Sequence, residues 1–130
     1  MAQGEDRRLV YRSGSARYEN LTPRPGKDLT PKPGSTPGLS TFDSLELAVD
    51  PGGKAQVIDL NLLQEPLRAF PDRPSEGGTQ GHVAIAPATR AGEVDTSLLE
   101  EWADTRDKGA GHPLTTLLAK AVVDTVRRPR

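Results

Sequence analysis

The sequence predicts an α+β fold with a small mixed or antiparallel sheet, long Pro/Gly-rich loops and two C-terminal helices. Three observations lead to this. Short β-favouring runs such as Arg8–Arg12, Ala55–Leu60 and His82–Ala86 are separated by turn-forming residues. Residues 23–38 hold eight Pro or Gly in sixteen positions. Proline removes a backbone donor and glycine loses the most entropy on ordering, so that stretch supports no regular element. From Ser97 onward apolar residues recur at spacings of three and four, the period of a helix with one buried stripe.

A chain of 130 residues fits one domain spanning 1–130, with the polar segment 1–6 frayed. Hydrophobic residues make up 34%, with two Tyr, two Phe and one Trp, so the expected core is small and aliphatic. There is no cysteine, which excludes disulfides, cysteine-ligated metals and thiol nucleophiles. No 18-residue apolar run and no leader-like start is visible, and the expected place of action is cytoplasmic. The net charge of −1 is unevenly spread: residues 1–40 carry seven basic and four acidic side chains, and residues 41–107 carry five and thirteen. An acidic middle argues against a broad nucleic-acid-binding face. The basic N-terminal segment can still hold one small anion. No dense Asp/Glu/His cluster calls for a metal.

Taken in order, Arg8–Arg12 is the first strand and 23–38 a long loop, expected to order against a strand at 39–42. Thr41 or Asp43 can cap a short helix through Leu45 and Leu47 to Val49. Ala55–Leu60 is a strand. Leu62–Leu63 and Leu67–Phe70 read as a helical turn and a packed corner. A second Pro/Gly loop covers 71–81, and His82–Ala86 alternates as a strand that stops at Pro87. Ser97 with Glu100 has the pattern of a capping box before Leu99, Trp102 and Ala103. Pro113 suits the first turn of a final helix over 113–128. In that helix Leu114, Leu117, Leu118, Ala121, Val122 and Val126 form the buried stripe.

Three patches resemble one family, the NAD-dependent ADP-ribosyltransferase-like bacterial toxins delivered by the type VI secretion system, of the second-effector type. Val10-Tyr11-Arg12 resembles the opening strand of that fold, where an arginine lies beside NAD. The run from Pro23-Arg24 and Asp28 to Gly38-Leu39-Ser40-Thr41-Phe42-Asp43 is similar to the family's loop and Gly-x-Ser-x-Phe strand. His82-Val83-Ala84-Ile85-Ala86-Pro87-Ala88 resembles a late strand. The resemblance implies an ADP-ribosyltransferase-like fold and a toxin acting on an intracellular target. It also implies a cognate immunity protein and delivery into a target cell.

Breaking the nicotinamide–ribose bond builds positive charge on the ribose. Such a site needs a cation for the pyrophosphate, hydroxyls around the ribose, a ring near the nicotinamide and a carboxylate. Arg12, Ser40, Thr41 and His82 are the candidate catalytic residues. Tyr11, Arg12, Arg24, Asp28 and Phe42 are the candidates for holding NAD. Arg12, Arg24, Ser40, Thr41 and His82 are expected to converge on one pocket. The carboxylate has no clear bearer, and Asp28, Glu76 and Glu93 are candidates by default. Two alternatives stand beside this reading. His82 and His112 with Arg12 or Lys27 could serve a metal-independent ribonuclease, or the Pro/Gly loops could bind a partner without catalysis. His112 before Pro113 also reads simply as a helix-boundary residue, and Trp102 as core.

Overall fold

The computed structural model describes residues 8–109 and 111–130, and the expectation for residues 1–6 lies outside them. Six strands form one sheet: β1 (Leu9–Ser13), β2 (Leu39–Phe42), β3 (Lys54–Asp59), β4 (Leu67–Pro71), β5 (His82–Pro87) and β6 (Val122–Arg127). Their spatial order is β4-β5-β2-β1-β3-β6, and every neighbouring pair is antiparallel. Among the described residues the α-helices are α1 (Leu45–Ala48), α2 (Thr96–Asp104) and α3 (Pro113–Ala119); short 3-10 turns accompany them, including Lys27–Leu29 and Pro74–Glu76 inside the two Pro/Gly stretches, where only loop was expected. The fold is α+β, with more strand than the sequence led us to expect.

Side chains alternate across a strand, so the register places Val10, Ile58, Leu39, Ile85 and Val83 on the same face of the sheet. That face is buried in one cluster with Leu99 and Trp102 of α2 and Leu114 and Leu118 of α3. A buried polar chain runs through the helical layer. Trp102 Nε1 donates to Thr115 Oγ1 at 2.8 Å, and Thr115 and Thr22 share a hydroxyl contact at 2.8 Å. Thr22 sends its single hydroxyl proton to Tyr18 O, so Thr115 is the donor to Thr22. The start of the 23–38 loop is thereby tied to both helices.

Several elements differ from expectation. The final helix ends at Ala119 instead of running to Arg128. Val122-Val123-Asp124-Thr125-Val126 is rich in β-branched residues and pairs with β3 from Lys54 to Ile58, so sheet pairing outcompetes the helical spacing. Arg127, at the end of β6, donates to Gly52 O at 2.7 Å, and Arg128 donates at 2.9 Å to Val49 O, the C-cap of α1 and not of the final helix. The corner at 67–70 is strand β4, hydrogen-bonded to β5. Helix caps move as well. Ser44 caps α1 instead of Thr41 or Asp43, and Asp95 caps α2 instead of Ser97, accepting from Leu98 N at 3.1 Å. His112 does mark a helix boundary, since its Nδ1 accepts from Leu114 N at 3.1 Å ahead of Pro113.

Leu118 is fully buried where α3 meets the sheet. Leu118→Asp is expected to lower unfolding stability by about 3–5 kcal/mol, the loss of a buried leucine plus the burial of an unpaired carboxylate. Urea unfolding followed by circular dichroism checks this, and an unchanged transition would show α3 to be peripheral.

Candidate functional site

The two Pro/Gly loops fold against each other beside β2 and β5 and enclose a cleft of about 280 Å³. The first loop is ordered by its own charges. Asp28 is 6% exposed and accepts from Arg24 N at 2.7 Å and from the Arg24 guanidinium at 2.9 Å, while its carbonyl accepts from Gly38 N. The second loop joins it through the backbone, with Arg73 N donating to Gly34 O at 2.7 Å. Lys32 Nζ adds a bond to Thr79 Oγ1 at 2.5 Å. Gly34 has φ +82°, and a Cβ there would lie 2.2 Å from Gly78 N, so only glycine permits this approach.

At the seam lies Asp72, directly after β4. Its backbone N donates to His82 O at 2.9 Å, which continues the β4–β5 hairpin by one step. Its side chain, 1% exposed, receives His82 Nδ1 on Oδ1 at 2.7 Å. Oδ2 receives the Ser35 hydroxyl and Thr79 N. Burial alone would raise the Asp72 pKa. The hydrogen bonds from Ser35, Thr79 and His82, with the attraction of His82, outweigh it and hold the carboxyl below its ordinary value. A carboxylate can only accept, so the His82 proton sits on Nδ1. With the ring neutral, Nε2 then accepts the Ser40 hydroxyl proton, and the two atoms are 2.7 Å apart. Phe42 meets the His82 ring edge to face, 5.1 Å between centroids at 71°.

Arg12 lies behind this wall. It is 7% exposed and donates from Nε to Asn20 O at 2.8 Å and from Nη1 to Ser40 O at 2.9 Å. Burial lowers its pKa to about 10; Asp28 offsets this, while Arg24 and Arg106 add to it. It stays charged at neutral pH. Arg12 and Arg24 both lie near the carboxylate of Asp28, which is bonded to Arg24, while Arg106 donates to Thr22 O at 3.1 Å.

Of the residues selected from sequence, Arg24, Asp28, Ser40 and His82 line the cleft together. Arg12 does not line it and instead braces the Ser40 carbonyl. Thr41 alternates onto the core face, fully buried, with Oγ1 donating to Val83 O. Tyr11 pairs with Phe42 across β1 and β2, and neither ring lines the cleft. Glu76 pairs with Arg73, and neither Glu76 nor Glu93 reaches the cleft. His112 bonds Glu101 and is absent from the lining, so the two-histidine arrangement is not assembled here. Sequence reasoning missed Asp72, Ser35 and Thr79. Among the described residues no group of His, Asp or Glu is arranged to hold a metal, and no helix is long and apolar enough to cross a membrane. No family model, curated protein or solved structure matches this chain.

A carboxyl whose pKa is depressed on folding adds stability that is complete above its unfolded value and is lost as pH falls through the folded one. The stability difference between the wild type and Asp72→Asn is therefore expected to be constant above about pH 5 and to shrink below about pH 4. Urea titrations across that range check it, and a gap that widens in acid would contradict the assignment. Separately, Gly34→Ala should part the two loops at a cost of about 1–3 kcal/mol, read as faster proteolytic cutting within 23–38 and 72–81.

Proposed function

We propose that this chain is an enzyme that transfers ADP-ribose, with an ADP-ribosyltransferase-like fold. Within that class we propose an NAD-consuming toxin of the type VI second-effector kind, acting in the cytoplasm on an intracellular target. On this reading a cognate immunity protein restrains it and a secretion system carries it. The observation that carries the proposal is the meeting of Arg24 and Ser40, from one of the resembling stretches, with His82 from another, in one cleft rimmed by Lys27 and Lys32.

The residues suit NAD as substrate in most respects. Arg24, Lys27 and Lys32 can take the pyrophosphate, as cations at a cleft mouth do. Ser40 can bond a ribose hydroxyl. The His82 imidazole is an aromatic ring on the cleft lining, which gives the nicotinamide a surface. The volume of about 280 Å³ suits part of a dinucleotide and leaves the remainder over the open mouth. The carboxylates within reach are Asp28 and Asp72, both already bonded to cleft cations or to His82. Their part is to hold those partners, and His82 is the group able to take the proton of an attacking acceptor.

Calorimetry with NAD and an assay for released nicotinamide test this. Arg24→Ala is expected to weaken NAD binding roughly 10- to 100-fold, the loss of one charge-assisted hydrogen bond. Ser40→Ala should relieve growth arrest in cells expressing the protein while leaving the melting transition in place; His82→Ala should relieve it too but lower the melting transition, because the buried Asp72 carboxylate loses a donor. Folded wild-type protein that neither binds NAD nor releases nicotinamide would sink the proposal.

A further inference from the structure

We infer that Ser40 is a covalent nucleophile, activated by His82 and Asp72, and that the cleft hydrolyses esters whose acyl group carries a carboxylate. This activity does not require NAD. The geometry is a series of two hydrogen bonds at 2.7 Å, from Ser40 Oγ to His82 Nε2 and from His82 Nδ1 to Asp72 Oδ1. A nucleophile, a base within reach of it and a third group that orients the base are the parts such catalysis needs, whatever the fold.

Burial is graded along the series. The Asp72 side chain is 1% exposed and that of His82 17%, and Ser40 is half-buried on the cleft wall. Each member is also fixed by a contact outside the series. The free oxygen of Asp72 is occupied by Ser35 and Thr79, Phe42 abuts the His82 ring, and Arg12 holds the Ser40 carbonyl. The two loops are closed by Arg73 N on Gly34 O, by Lys32 on Thr79 and by the bond of Ser35 to Asp72. The bond from His82 to Ser40 adds nothing to that closure, and it brings a hydroxyl with an adjacent base to the cleft.

The substrate class follows from the lining. Arg24, Lys27 and Lys32 give the cleft positive charge, which attracts an anionic acyl group and favours the oxyanion that forms during attack. The enclosed volume suits a short acyl chain. Ser40 Oγ attacks the ester carbonyl carbon and its proton passes to His82 Nε2. The carbonyl–alkoxy bond then breaks, and the departing alkoxide takes that proton and leaves as the alcohol. Water next attacks the acyl–Ser40 ester and gives its proton to His82. The bond to Ser40 Oγ breaks, Ser40 recovers the proton, and the free acid departs.

The test treats the full chain with a fluorophosphonate probe and follows intact mass and peptide mapping, with NAD calorimetry on the same preparation. One adduct on Ser40 is expected, absent in Ser40→Ala. Its rate should rise with pH in the wild type, and should fall roughly 10²- to 10⁴-fold in His82→Gln and Asp72→Asn. A merely structural role for His82 would not produce that pH profile. An esterase assay should favour a hemisuccinate ester over the matching butyrate ester at least tenfold. That preference should shrink in Lys27→Ala, and a preference for butyrate would overturn the substrate class. No adduct on folded wild-type protein, or an adduct at Ser40 whose rate ignores His82→Gln, overturns the nucleophile. NAD binding without an adduct sinks this inference and leaves ADP-ribosyl transfer standing. An adduct without NAD binding supports the nucleophile and removes the NAD reading.

Discussion

The ionised, buried carboxylate of Asp72 is the constraint on which the site depends. A charge taken out of water is costly unless its lone pairs are filled, and Asp72 fills them from three directions: Ser35 on the first loop, Thr79 on the second, and His82 on β5. Each donor thereby becomes fixed in place. Two stretches with little capacity for regular structure are drawn into a single wall, and an imidazole is locked in one tautomer with its other nitrogen toward Ser40. Satisfying one buried charge thus closes the cleft and sets its chemistry together.

Much of this was within reach of the sequence, and the part that escaped did so for one reason. Ser40 and His82 were legible through the resemblance of Gly38–Asp43 and His82–Ala88 to two strands of a toxin family. Arg24 and Asp28 stand out as mixed charge in a Pro-rich stretch. Asp72 stood in a segment read as a loop after a packed corner. Once Leu67–Pro71 is recognised as a strand, antiparallel pairing with His82–Pro87 sets Pro71 opposite Val83, and the next step brings Asp72 to His82. The signal was therefore a hairpin register and not a motif. Thr41 was misjudged for the opposite reason. Alternation along β2 sends it away from Ser40, a consequence available from the period of two alone.

The C-terminal segment illustrates competition between two legitimate patterns. Leu114, Leu117 and Leu118 obey the helical period and form α3. Val122 and Val126 continue that period, but they belong to a run whose β-branched side chains favour extended backbone, and β3 offers an unpaired edge. Local spacing could not decide between these. The tertiary partner could, and β6 became the edge of the sheet, where Asp124 and Arg127 discourage further strand addition.

The join between β1 and β2 has a mechanical meaning. Their ladder consists of the single pair Tyr11 and Phe42, whereas β1 matches β3 at five positions and β2 matches β5 at four. Beyond that pair the strands are bridged by the Arg12 guanidinium, which reaches Ser40 O from one side and Asn20 O from the other. The sheet is in effect two three-stranded leaves sewn by one stitch and one cationic peg. Asp72, His82 and Ser40 all ride on the β4-β5-β2 leaf. A rotation about the seam would leave their mutual distances untouched, and the Arg12 peg would carry it to the backbone of Ser40. Compliance and chemical precision are in this way assigned to different parts of the same sheet.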